Sequence, residues 1–304
     1  MDRQKVLAIV GPTGIGKTSL SVWLAKQLDG EIISCDSMQV YKKMDIGTAK
    51  VTQEEMQGIH HELIDVQNYN EPYNVKVFQE KCRTAIEDVV KRGKFPILCG
   101  GTGLYLKAAL YDYEFQEENE DIAYTTFLNS KTNEELVAML KEKDEKALEK
   151  IHPNNRKRLI RALQICHSGT SKSEQEDKQQ HIPLYDVYFL GLDVNREILH
   201  DRINKRVDIM FENGLVKEVE DLFTNPETWE YTSFQGIGYK EFKDYFLREK
   251  SIDEVKTAIK THSRQYAKRQ YTWFKNQMPV HWFEAQNRDE IYSAVKEWLM
   301  DEDK

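Results

Sequence analysis

Over the first hundred residues, short apolar runs alternate with stretches whose apolar positions recur every three or four residues. The continuous run Val6 to Val10 predicts a buried strand, and residues 18–28 a helix. A second strand follows at 31–35, an apolar-periodic helix at 75–92, and a third strand at 95–99, which ends in the turn Gly100, Gly101, Thr102, Gly103. Strands alternating with helices imply a parallel sheet with right-handed crossovers, whose ligands sit outside the C-terminal strand ends. From 113 to 181 the pattern is helical only, with Leu136, Met139, Leu140, Leu148, Ile151, Leu159 and Leu163 at helical spacing and a polar linker at 168–180. A strand returns at 185–192, followed by helices at 196–213, 215–223, 239–246 and 252–275. The expected fold class is α/β, with residues 1–112 and 182–304 forming the core with C-terminal helices. Residues 113–181 form an all-helical insertion.

A chain of 304 residues with 40% hydrophobic and 31% charged positions has the composition of a globular protein. No apolar stretch reaches the roughly 18 residues of a membrane span. The start lacks the pattern of a signal peptide, so a cytoplasmic location is expected. Cys35, Cys82, Cys99 and Cys166 show no metal or redox spacing and are expected as free thiols, and no heptad repeat calls for a dimer, so a monomer is expected. The net charge of −8 argues against nucleic acid only as an average. Residues 112–149 hold twelve acids against four lysines, whereas 256–275 hold six Lys and Arg and no acid.

The chemistry begins at Gly11, Pro12, Thr13, Gly14, Ile15, Gly16, Lys17 and Thr18, a complete G-x-x-x-x-G-K-T loop. A buried strand running into a glycine-rich turn and a helix N-terminus aims several backbone N–H groups at one point, which suits a diphosphate or triphosphate. Lys17 adds a flexible positive charge, and the Thr18 hydroxyl is placed for Mg²⁺. The core is therefore expected to be P-loop NTPase-like. Asp36 ends the second strand. It is either a turn cap or a general base at the switch point, and its neighbours Ser37 and Gln39 could bind Mg²⁺ or a substrate amide edge. An ATPase needs a second acid closing another strand, but the third strand ends in Gly-Gly-Thr-Gly, which favours a transferase. Arg156, Arg158 and Arg161 open a helix in the insertion, and Arg202 and Arg206, four apart, share a helix face; these arginines are either a phosphate clamp or a solvated face. The segment 261–275 interleaves basic residues with Tyr266, Tyr271, Trp273 and Phe274, as expected either of an RNA contact or of an amphipathic helix packed on the core.

Together these segments resemble the bacterial tRNA dimethylallyltransferases (tRNA isopentenyltransferases). The matching pieces are the phosphate loop, the stretch from Asp36 to Lys50, Gly100 to Tyr105, His152 to Gln164, Gln235 to Lys240, and Tyr266 to Phe274. The resemblance implies transfer of a dimethylallyl group from dimethylallyl diphosphate to the exocyclic amine of adenosine 37 in the tRNA anticodon stem-loop, with Mg²⁺ assisting and pyrophosphate leaving. It implies that residues 11–18 hold the diphosphate, with Thr18 and Arg202 catalytic, and that Asp36 accepts the amine proton. RNA contacts are implied at Asp36, Ser37, Met38, Gln39 and Thr102, and at Ile160, Arg161, Ala162, Leu163 and Gln164. Between Tyr111 and Thr132 the match to the family pattern breaks off; Tyr124 is taken as the contact there. The loop departs from the family in having Ile15 where a hydroxyl residue is common. Two other readings are an adenylate isopentenyltransferase and a small-molecule kinase, neither of which needs the basic aromatic helix.

Overall fold

The computed structural model describes residues 3–115, 121–174 and 181–301, so the expected 168–180 linker lies partly outside it. The chain divides into two compact units, Met1–Tyr111 with Pro183–Lys304, and Asp112–Ile182. The first unit is built on a six-stranded, all-parallel sheet. Its strands are β1 (Lys5–Val10), β2 (Gly30–Ser34), β3 (His61–Glu62), β4 (Phe95–Gly100), β5 (Asp186–Asp193) and β6 (His281–Glu284), in the order β3-β2-β4-β1-β5-β6.

The apolar run of β1 is central because it is buried on both faces. Val6, Ala8 and Val10 point into one apolar layer with the helices Val75–Lys91 and Ile252–Gln277. Leu7 and Ile9 point into the other, with the helices Lys17–Leu28 and Arg288–Met300. The fold is the P-loop NTPase-like α/β architecture expected. The structure adds the edge strands β3 and β6 and the helices Gly103–Leu110 and Arg288–Met300. Where a helix was expected at 239–246, it has a 3-10 turn at Lys240–Phe242 and a single helical turn at Lys243–Phe246. All four cysteines are free.

The second unit consists, among the described residues, of helices and turns. The helices Ile122–Asn129, Asn133–Asp144 and Arg156–His167 bury Leu128, Leu136, Leu140, Leu159, Ala162 and Leu163 against one another. Asn155 caps the third helix by accepting the Arg158 N–H. Arg156 donates to the carbonyls of Leu128 and Asn129, which end the first helix. Where the chain enters and leaves this unit, the Asp112 N–H donates to Ile182 O at 3.0 Å and the Ile182 N–H to Asp112 Oδ1 at 2.7 Å.

Candidate active site

The phosphate loop leaves β1 through backbone that only glycine adopts readily, with φ of 140° at Gly11, 78° at Gly14 and 105° at Gly16. It ends at the N-terminus of helix Lys17–Leu28. Among the described residues, the N–H groups of Gly14, Ile15 and Gly16 meet no acceptor, which leaves them available to an anion. Ile15 points away from the nest and is buried in the apolar layer under the loop, so the missing hydroxyl at 15 is exchanged for core packing. Lys17 Nζ donates to the carbonyls of Gly11 and Pro12 at 2.9 and 2.8 Å. Burial pushes its ammonium down to about 8, an effect that Cys99 and Asp36 oppose and Arg206 reinforces.

Asp36 follows the C-terminal end of β2. Its neighbour Cys35 lies so close to β4 that a Cβ on Gly100 would stand 2.4 Å from the Cys35 carbonyl oxygen. Asp36 Oδ1 accepts the N–H groups of Met38 (2.8 Å) and Gln39 (3.3 Å). Oδ1 thus fixes the turn, as a cap does, while Oδ2 makes no hydrogen bond among the described residues. A cavity of about 390 Å³ opens here, within the usual range for small-molecule sites. Its lining mixes the polar groups of Asp36, Thr13, Arg206 and Arg269 with the larger side chains of Tyr73, Tyr105, Met210 and Ile259. The Tyr73 hydroxyl is buried without a partner, and burial raises the phenols of Tyr73 and Tyr105.

Arg206 donates to Thr13 Oγ1 at 2.9 Å, and burial lowers its guanidinium while Asp36 opposes the shift. Arg202, one turn earlier on the helix Arg196–Glu212, is exposed and does not line the cavity. The structure thus brings Arg206 to the cavity lining, while Arg202, the arginine that the family resemblance implies is catalytic, is exposed and off that lining. Helical spacing gives the shared face of the pair but not which turn meets the site. Of the expected RNA contacts at the strand end, Ser37 and Met38 line the cavity. Gln39 instead donates to Ala49 O at 3.2 Å and holds its own loop. Tyr266, on the helix Ile252–Gln277, lines the cavity beside Thr102 and Gln270. Burial pushes its phenol up to about 12, with Asp36 adding to the rise and the contacts from Thr102 and Gln270 opposing it. The same helix exposes Lys268, Arg269 and Lys275, while Phe274 is fully buried. The helix is therefore amphipathic, with Phe274 in the core and a basic face open to solvent.

The arrangement is matched by known proteins over nearly the whole chain. A family model described as IPP transferase covers residues 39–277. A tRNA dimethylallyltransferase of Bacillus anthracis is 49% identical over 97% of this chain and 96% of its own. One of Bacillus cereus is 48% identical over 97% and 95%. The chain belongs to the tRNA dimethylallyltransferase family. Its fold is likewise similar to that of the full-length tRNA isopentenylpyrophosphate transferase of Bacillus halodurans, with a TM-score of 0.75, 41% identity, and 98% and 97% of the two chains covered. A eukaryotic dimethylallyltransferase acting on tRNA has a TM-score of 0.81 at 32% identity, over 98% of this chain and 78% of its own.

Within this family pattern, the stretch 160–164 cannot act as one block. Ala162 and Leu163 are fully buried in the core of the helical unit, Ile160 and Gln164 are half-buried, and Arg161 is exposed. A helix turns 100° per residue, so five consecutive positions cannot share a face. Gln164 donates to Thr125 Oγ1 at 2.8 Å. Tyr124 stacks on His167 with ring centroids 3.9 Å apart, and its hydroxyl is buried without a partner. Two residues take structural roles here that the sequence reading does not assign, although Gln270 lies within the matching stretch Tyr266 to Phe274. Gln270 bridges the phosphate loop and the Gly101 turn, and Glu218 ties Gly47 to Tyr239. Their partners lie 21 to 257 positions away, beyond the reach of any local motif.

Proposed function

We propose that this chain transfers a dimethylallyl group from dimethylallyl diphosphate to the N6 amine of adenosine 37 in the anticodon stem-loop of tRNA. The observation that carries the reading is the Asp36 carboxylate, pinned through Oδ1 with Oδ2 left for substrate, in a cavity that begins at Thr13 of the phosphate loop. The N6 nitrogen forms a bond to C1 of the dimethylallyl group as the bond from C1 to the diphosphate oxygen breaks. The proton released from the amine passes to Asp36 Oδ2. An exocyclic amine is a weak nucleophile, so relief of positive charge during attack is needed at that position.

The leaving pyrophosphate takes up negative charge, and the N–H groups of residues 14–16, Lys17 and Arg206 are the donors suited to receive it. Among the lining residues, the apolar surfaces of Tyr105, Met210 and Ile259 suit the five-carbon group. Mg²⁺ fits the donor chemistry, because the Thr18 hydroxyl at the helix start is a hard oxygen ligand that makes no hydrogen bond among the described residues. When bound, the ion would neutralise charge on the diphosphate. A flipped base can reach a recessed pocket, and Ser37, Met38 and Thr102 are the groups suited to hold it. In the helical unit, Arg161, Gln164 and Tyr124 are the groups suited to the stem-loop.

Purified protein incubated with labelled dimethylallyl diphosphate, Mg²⁺ and either tRNA or AMP tests this. Label is expected in tRNA at one adenosine beside the anticodon; label entering AMP but not tRNA would refute the proposal.

A further inference from the structure

Gln270 is only 6% exposed, and both ends of its amide are taken by backbone from two different turns. Oε1 accepts the Thr13 N–H at 2.9 Å, and Nε2 donates to the Gly101 carbonyl at 2.9 Å. One turn is the phosphate loop; the other carries Thr102. The fit leaves no spare room, since a Cβ on Gly101 would stand 2.0 Å from Gln270 Nε2. Tyr266 and Trp273, four residues before and three after, share this helix face. The first lies against Thr102, and the ring of the second would stand 2.0 Å from a Cβ on Gly103. Thr13 is held again through its hydroxyl by Arg206.

We propose that Gln270 is a positioning residue that fixes the spacing between the phosphate loop and the Gly100–Gly103 turn, and so between the donor diphosphate and the groups that hold the base. It touches neither substrate, and the proposal rests on the phosphate loop being the donor site. The spacing needs a side chain that accepts at one end and donates at the other. A carboxylate in its place accepts from Thr13 but presents a second oxygen to the Gly101 carbonyl, whereas a protonated carboxyl restores the donor. Gln270→Glu is therefore a pH-dependent form of the enzyme, and Gln270→Leu a pH-independent loss.

The test is steady-state transfer to tRNA by the full chain between about pH 6 and about pH 8.5, a window across which a buried Glu titrates. The full chain's affinity for inorganic pyrophosphate is measured alongside. Gln270→Leu should lower kcat/KM for dimethylallyl diphosphate about 100-fold at every pH, the cost of a misplacement of about 1 Å, with tRNA affinity unchanged. Gln270→Glu should match it at the alkaline end and, relative to wild type, recover about tenfold or more at the acid end, since each 1.4 kcal/mol regained is tenfold. Wild-type kinetics in Gln270→Leu, a Gln270→Glu profile parallel to wild type, or equal losses of tRNA affinity and donor turnover would each overturn the proposal. Lys17→Ala separates the two readings. If it binds pyrophosphate like wild type, the loop is not the donor site and both fall. If it loses pyrophosphate while Gln270→Leu behaves as wild type, only the role of Gln270 fails.

Discussion

The Tyr239 hydroxyl donates to Glu218 Oε1 at 2.7 Å, and at that carboxylate two distant glycine-containing segments meet. Glu218 also accepts the N–H groups of Asp45 (2.9 Å), Ile46 (2.7 Å) and Gly47 (3.0 Å). Gly47 has no alternative, because a Cβ there would stand 2.5 Å from the Tyr239 ring. Gly47 and Thr48 on one side, and Gly236 and Lys240 on the other, line the cavity, so this carboxylate joins two of its walls.

Glu218→Ala strands three backbone donors and a buried phenol, with an expected loss of about 2–3 kcal/mol in unfolding free energy. Tyr239→Phe removes one bond and should cost about 1 kcal/mol. The double variant should lose less than the sum, because Glu218 is shared. Urea denaturation of the four proteins checks this; strict additivity would mean that the two side chains act independently.

Lys17 should make donor binding depend on pH. Burial holds its folded pKa near 8, against an ordinary value of 10.5. Below about 8 both folded and unfolded chains carry the proton, so the folded chain bears the full cost of the buried charge. Between about 8 and 10.5 the unfolded chain binds more protons, and this group's contribution to stability rises with pH. Donor affinity moves the opposite way, because a diphosphate prefers the protonated ammonium. Affinity should fall as pH rises through about 8, by up to about tenfold per unit, with proton uptake on binding. Calorimetry in buffers of different ionisation enthalpy measures that uptake. Lys17→Arg should show none.

What was legible in the sequence was local. The loop, its strand and its helix are contiguous, and Asp36 is marked by the apolar run before it, so their proximity follows from parallel-sheet topology alone. The helix Gly103–Leu110 was hidden because six of its eight residues are buried, which erases the apolar period, and because a glycine turn leads into it. Strand β6 (His281–Glu284) was hidden for the opposite reason. It is a four-residue edge strand with both ends exposed, and it carries no apolar run. Gln270 and Glu218 read as ordinary polar helix residues until the chain folds. The choice between Arg202 and Arg206 depends on how their helix is rotated against the loop, which tertiary packing sets.

Substitution at Asp36 should separate chemistry from binding. Asp36→Asn keeps an Oδ1 acceptor for Met38 and Gln39, so the turn should survive, but its amide is a far weaker base. kcat should fall about 10²–10⁴-fold, the usual worth of a positioned base, with the dissociation constant for dimethylallyl diphosphate within about twofold, because the loop's donors are intact. Asp36→Ala frees both N–H groups and should additionally lower the melting temperature. A large loss of donor affinity in Asp36→Asn would mean that this carboxylate acts mainly on the diphosphate or its metal.

Tyr124 offers a test in the helical unit, where stability and RNA recognition should respond in opposite directions. Its hydroxyl is buried without a partner, and burial raises the phenol, while its ring stacks on His167, whose Nε2 lies 3.1 Å from Asp121 Oδ2. An orphaned buried hydroxyl costs about 1–3 kcal/mol, so Tyr124→Phe, which keeps the stack, should leave the unit as stable as before or more so. If RNA supplies the missing partner, the same change should weaken tRNA binding by about tenfold, the worth of a bond of about 1.4 kcal/mol. Thermal unfolding and a filter-binding titration on one preparation give both quantities. A gain in stability with unchanged tRNA affinity would assign the hydroxyl to neither partner and leave Arg161 and Gln164 as the contacts of that helix pair.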